Sequence, residues 1–179
     1  MGPLFHAAKE GNFESVKALI DAGADINQAN NQGWTPLMTA ANFRHHEVVQ
    51  AFIDAGADIN QADNQGWTPL MTASQYGDLE MVEALIVAGA DINKARNDGK
   101  FNPLNNAAQL GHFNVIVRLL MAGAVRVPLT LMITIDARAA KSLVEKTVGW
   151  SKLHYASYLG YCDHVLSILH EGVGIDFTT

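Results

Sequence analysis

The chain has 179 residues, of which 49% are hydrophobic and 17% charged, with a net charge of −6 and a single cysteine, Cys162. Such a composition belongs to a folded soluble chain and argues against disorder, while one cysteine excludes an internal disulfide framework and suits a reducing compartment. The acidic balance disfavours a nucleic-acid partner, which needs a basic footprint; no run of about 18 apolar residues is present to span a membrane; and no basic segment leads into an apolar core as a secretory signal would.

The stretch Gly33-Trp34-Thr35-Pro36-Leu37 returns unchanged 33 residues later as Gly66-Trp67-Thr68-Pro69-Leu70. Self-similarity at such a period marks a stacked repeat array. The first copy is incomplete: Pro3-Leu4 and Ala7-Ala8 align with Pro36-Leu37 and Ala40-Ala41, and a helix follows over Glu14–Asp21. In the second copy Thr35 is a helix N-cap and Pro36 the first helical residue, where no N–H donor is needed. Val48, Val49, Phe52 and Ile53 form the buried stripe of a second helix, and Gly56 supplies a left-handed C-terminal residue. The polar run from Asp58 to Gly66 reads as a turn-rich extended finger. Arg44 stands where the third and fourth copies have Gly77 and Gly111. If that position is left-handed, arginine costs roughly 1 kcal/mol relative to glycine.

The third copy repeats the second closely, with Met81, Val82, Leu85 and Ile86 as its outer stripe. The fourth has one extra residue in its finger, Gly99-Lys100-Phe101-Asn102-Pro103-Leu104, and Asn102 still serves as a cap. Then the period breaks. Val125 to Ile135 alternates like a strand; alternatively, Val127-Pro128-Leu129 imitates Thr-Pro-Leu and opens a fingerless helix pair ending near Thr147, the reading that the available length favours. The last copy resumes at Gly149-Trp150-Ser151 and closes at Gly172, and no polar outer cap is evident after it. The pattern thus anticipates a longer parent protein or a tail covering that end. The expected copies occupy residues 1–29, 30–62, 63–95, 96–125, 126–147 and 148–179 of one domain.

Gly-x-Thr-Pro-Leu, an alanine pair and Gly-Ala-Asp-x-Asn at a 33-residue period resemble ankyrin repeats, over most of the chain. The resemblance implies an all-α solenoid of stacked helix-turn-helix units, with short β-hairpin fingers projecting from them. It also implies a non-catalytic protein–protein interaction module that holds a partner on a concave face formed by fingers and inner helices. Carried over position by position, the contact rows are Trp34, Trp67, Phe101 and Trp150 on the fingers, and Asn42-Phe43, Gln75-Tyr76, Gln109-Leu110 and Tyr158 at the ends of inner helices. Asn31-Gln32, Asn64-Gln65 and Asn97-Asp98 lie at the finger tips between them. Large aromatics flanked by amides suit a binding groove, although a tryptophan after the finger glycine also has a plain packing role against the next finger.

No catalytic constellation emerges. His45-His46 and Cys162 lack the spacing of a ligand set or an activated nucleophile. Asp25, Asp58 and Asp91, with Asn27, Asn60 and Asn93, recur in every copy, which fits finger geometry because a catalytic site is needed once. The expectation is a monomer without metal or cofactor that binds another protein of neutral or basic surface and contacts neither nucleic acid nor membrane. Its place is the cytoplasm, or a host cytosol if it is an effector. The alternative is the targeting or substrate-recruiting part of a larger enzyme or secreted effector.

Overall fold

The computed structural model describes residues 2–124, which lie within the first of two units of the chain, Met1–Leu131. The irregular stretch 126–147 and the last expected copy, with Trp150 and Tyr158, fall outside the described residues.

Among the described residues the chain forms helices in pairs: α1 (Pro3–Glu10) with α2 (Phe13–Asp21), α3 (Pro36–Asn42) with α4 (His46–Asp54), α5 (Pro69–Tyr76) with α6 (Leu79–Val87), and α7 (Pro103–Gln109) with α8 (Phe113–Met121). Each odd-numbered helix packs on the next odd one and each even-numbered helix on the next even one, giving an inner and an outer row. The helix starts are set locally. Thr35 Oγ1 accepts from Met38 N–H at 3.1 Å and Thr68 Oγ1 from Met71 N–H at 3.3 Å, while Asn102 Oδ1 accepts from Asn105 N–H at 2.8 Å. Proline follows each of these caps at the first helical position. The alanines Ala40, Ala41, Ala73 and Ala107 are fully buried between inner helices, and Val48, Val49, Phe52, Met81, Val82 and Leu85 fill the space between the rows.

The connections differ from the expected hairpins. They are hydrogen-bonded turns, and no strand forms among the described residues. Asn30 N–H donates to Trp34 O at 2.8 Å and Asp63 N–H to Trp67 O at 2.9 Å, and neighbouring fingers share one backbone bond each: Asn64 N–H to Gln32 O at 3.1 Å, and Asn97 N–H to Gln65 O at 3.0 Å. One cross-bond per pair is too little for a ladder. The close approach is possible because Gly33 and Gly66 take φ of 84° and 83°, and a Cβ on either would strike the backbone of the next finger.

The recurring Asp and Asn residues stitch one copy to the next. Asp25, Asp58 and Asp91 each accept, through Oδ1, the N–H two residues on. Asn27 Oδ1 then accepts from Asp58 N–H at 2.9 Å, and Asn60 Oδ1 from Asp91 N–H at 2.6 Å. Their role is the finger geometry inferred from their recurrence.

Arg44 is left-handed, with φ of 60°, as its alignment with Gly77 implied. The reason it is tolerated lies in the next copy. His45 and His112, at equivalent positions before α4 and α8, reach back to the carbonyls of Lys9 and Gln75 at 3.0 and 2.8 Å. Their rings lie over Gly11 and Gly77, so closely that no Cβ fits beneath either. At the matching position before α6 stands Asp78, whose buried carboxylate accepts from Arg44 Nε at 3.1 Å, His46 Nε2 at 2.7 Å and Met81 N–H at 3.2 Å. Where the next copy presents an imidazole, glycine is required; where it presents a carboxylate, an arginine is accommodated and its backbone cost is offset by a charge-assisted bond.

Two predictions follow from these contacts. Gly77→Ala is expected to destabilise more than Gly89→Ala in urea titrations, by roughly 1 kcal/mol or more; both glycines are left-handed, but a Cβ at Gly89 meets nothing within 4 Å. Burial pushes the Asp78 carboxyl up, but the hydrogen bonds from His46, Met81 and Arg44, with the His46 charge, outweigh it and hold it below the ordinary carboxylate value. A depressed folded pKa gives stability that is present above the unfolded value of about 4 and is lost as pH falls through the folded one. Unfolding midpoints measured from pH 5 downward should therefore fall less steeply for Asp78→Asn than for the wild type, and the variant should be less stable at pH 7 by about 1–2 kcal/mol.

Candidate functional site

The fingers of the second and third copies are each wound around the side chain of their first residue. Asn30 Oδ1 accepts from the N–H groups of Gln32 and Trp34 at 2.9 and 3.0 Å. Asp63 Oδ1 accepts from those of Gln65 and Trp67, both at 2.8 Å. These turns present Trp34 and Trp67 at the same level of successive copies, each half-buried. Trp67 Nε1 donates to Thr72 Oγ1 at 2.8 Å, and its ring faces the Arg96 guanidinium of the next finger, 5.5 Å from the ring centroid. The packing role weighed for these tryptophans therefore holds for Trp67.

The inner helices supply the other wall. Tyr76, the last residue of α5, is 42% exposed, and its hydroxyl donates to Asn42 Oδ1 of the preceding copy at 2.9 Å. Gln32, Trp34, Asn42, Gln65, Trp67, Gln75 and Tyr76 all line one groove of about 610 Å³, together with Asn31, Asp63, Asn64 and Arg96. Members of the two rows expected from sequence thus come together over the second and third copies, and Arg96 joins them from the fourth.

The remaining candidates lie elsewhere. Phe43, 46% exposed, turns towards the first copy, with Lys9 Nζ 5.9 Å from its ring centroid and the His45 ring stacked at 6.2 Å. Phe101 adjoins the groove through Arg96, which sits 5.3 Å from its ring. Gln109 and Leu110 are exposed but not among the lining residues, and Trp150 and Tyr158 are outside the described residues. A second hollow, about 730 Å³, lies between α1 and the finger of the second copy and shares Asn31 and Gln32 with the groove but no aromatic of the contact rows. Asp63 and Arg96 are the lining residues that sequence reasoning missed. The signal was available: residues 30, 63 and 96 occupy one register and read Asn, Asp, Arg.

Among the described residues no three His, Cys, Asp or Glu side chains gather as a metal site, and no helix is long and apolar enough to cross a membrane. His45 and His112 are engaged by main-chain carbonyls, and His46 lies between Asp78 and Glu80, its Nδ1 3.3 Å from Glu80 Oε2.

A paired-helix array with these caps and fingers defines a repeat solenoid, and comparison with known proteins agrees. A family model for ankyrin repeats in three copies matches residues 4–96, and another for many copies matches residues 75–120. The chain belongs to the ankyrin-repeat family. It is similar to protein phosphatase 1 regulatory subunit 27 of Homo sapiens and of Mus musculus, each 49% identical over 37 residues, 21% of this chain and 24% of the relative. It is also similar to putative ankyrin repeat protein R886 of Acanthamoeba polyphaga mimivirus, 53% identical over 34 residues, 19% of this chain and 26% of the relative. The matches thus span about a quarter of each relative's length. Ankyrin repeats generally mediate contacts between proteins and are typically non-catalytic.

Thr72 tests the wall of the groove. Its hydroxyl is buried, accepts from Trp67 Nε1 and donates to Thr68 O at 3.2 Å. Thr72→Val should cost about 1–3 kcal/mol, as expected for leaving the indole N–H without its partner. In a background with Trp34 and Trp150 replaced by phenylalanine, the fluorescence of Trp67 should also become more accessible to a soluble quencher.

Proposed function

We propose that this chain captures a partner protein in the groove lined by Trp34, Trp67 and Tyr76, acting by binding alone. The observation that carries the reading is the convergence of two rows in one open groove, with Trp67, Tyr76 and Asn42 held in place by hydrogen bonds within the fold. Rigid aromatic surface is what interface hot spots are made of, because it contributes apolar area at small entropic cost. Since the same elements recur with each copy, contact with an elongated partner would accumulate along the stack. The chain's net charge of −6 favours a partner of neutral or basic surface. The contact rows continue, in this reading, to Phe101, Gln109 and Leu110, and then to Trp150 and Tyr158.

A recruiting role beside an enzyme is the second reading. The likeness to a phosphatase regulatory subunit supports it, through 37 residues shared with that protein. The length of the reading frame beyond Thr179 separates a free-standing module from the targeting part of a larger enzyme or effector.

The combined variant Trp34→Ala, Trp67→Ala, Tyr76→Ala should lose partner capture from the native cell by more than about a hundredfold, while its helical circular dichroism survives. Unchanged capture by a folded triple variant would falsify the groove as the binding face.

A further inference from the structure

The register of residues 30, 63 and 96 carries an inference about what the groove receives. Asn30 and Asp63 are acceptors, each satisfying two N–H groups of its own finger. A guanidinium accepts nothing, so Arg96 cannot do this. The fourth finger is one residue longer, and Asp98 Oδ1 takes over the Lys100 N–H at 3.0 Å. Arginine therefore breaks a local rule that the two preceding copies obey, and such breaks concentrate where function requires them.

The side chain is instead positioned in the groove. Its guanidinium lies between the rings of Trp67 and Phe101, 5.5 and 5.3 Å from their centroids. Among the described residues its one side-chain hydrogen bond runs from Nη2 to Gln65 Oε1 at 3.2 Å. Asp98 Oδ2 pairs with the guanidinium electrostatically at 3.9 Å from Nη2, a distance too long for a hydrogen bond. Nε is buried without a partner. Arginine has five N–H donors, so most of them are unspent on a cation that two aromatic rings have already immobilised. Asp63, the groove's own acid, has Oδ1 committed to its finger.

We propose that Arg96 receives a side-chain carboxylate, from an aspartate or glutamate of the partner segment that lies in this groove. The inference rests on the groove being the binding face. A carboxylate matches the planar fork of the guanidinium and accepts two of its N–H groups at once. Asp63 and Asp98 nearby disfavour a dianion such as phosphate, because like charges at short range repel. The partner's surface is neutral or basic as a whole and carries this one acid as an anchor.

The test selects binders from random linear peptides displayed on phage and fused through their C-termini, so that no free terminal carboxylate is offered. Peptides whose binding requires Trp34, Trp67 and Tyr76 should carry Asp or Glu at one fixed position. Exchanging that acid for its amide should weaken binding to the wild type roughly ten- to a hundredfold, and should leave binding to Arg96→Met unchanged. Groove-dependent peptides without a fixed acid, or an exchange that weakens wild type and Arg96→Met equally, overturn the carboxylate site and leave the groove standing. Selection that yields no peptide, or only peptides indifferent to the three aromatic residues, overturns both. Should Arg96→Met not fold, the wild-type arm decides, and no response to the acid-to-amide exchange overturns the proposal.

Discussion

Everything described depends on hydrogen bonds that pass from one copy to the next. An inner helix of seven or eight residues is too short to be stable in water by itself. It persists because its neighbours hold it at both ends. On the finger side, Asn64 N–H and Asn97 N–H bind the carbonyls of Gln32 and Gln65, and Asn64 Nδ2 and Asn97 Nδ2 bind those of Asn31 and Asn64 at 3.0 Å. On the opposite side, His45 and His112 reach back to main-chain carbonyls, while Asp78 receives Arg44 and His46. Stability in such a stack is a sum of nearest-neighbour terms, so each of these contacts couples two copies and no more.

The same bonds determine the groove. Because each finger is tied to the next at a fixed offset, Trp34 and Trp67 recur at one level, and Tyr76 lies close enough to bond Asn42 across the copy boundary. Trp67, Tyr76 and Asn42 are therefore held by partners within the fold, although Tyr76 is exposed. A partner meeting them would order few protein side chains on binding, which removes one of the larger costs of association. Repetition also explains the character of the groove, whose amides and aromatics return from the second copy to the third.

Much of the fold was legible because it is local. Thr35, Thr68 and Asn102 cap helices through atoms three residues away, and the proline after each needs no partner. The left-handed position of Arg44 could be read from the glycines aligned with it. What compensates that arginine could not, since Asp78 lies 34 residues on and belongs to another copy. The fingers were expected as hairpins because their turn residues are those of hairpins; neighbours share a single backbone bond, a matter of geometry that composition does not carry. The site was legible as rows of positions. Which members converge was not: Phe43 turns towards Lys9 and His45, and Leu110 stays outside the groove, although both occupy the same register as Tyr76.

Trp34 and Trp67 show how far a repeat sequence underdetermines its surface. Both sit in identical Gly-Trp-Thr-Pro-Leu stretches, and both are half-buried. Yet Trp67 has its indole N–H engaged by Thr72, and Trp34 makes no such bond to Thr39, although the two hydroxyls donate alike, to Thr68 O and Thr35 O. The finger beyond Trp34 begins with Asp63, and the finger beyond Trp67 begins with Arg96. A residue's surroundings in the stack are set half by its own copy and half by the next. Departures from the consensus therefore alter the surface of the copy before them as well as their own. Arg44 against Asp78 and Arg96 against Trp67 are both cases of this, and they lie where near-identical copies acquire different chemistry. If the groove is the binding face, such departures, beside the repeated tryptophans, are where one partner would be told from another.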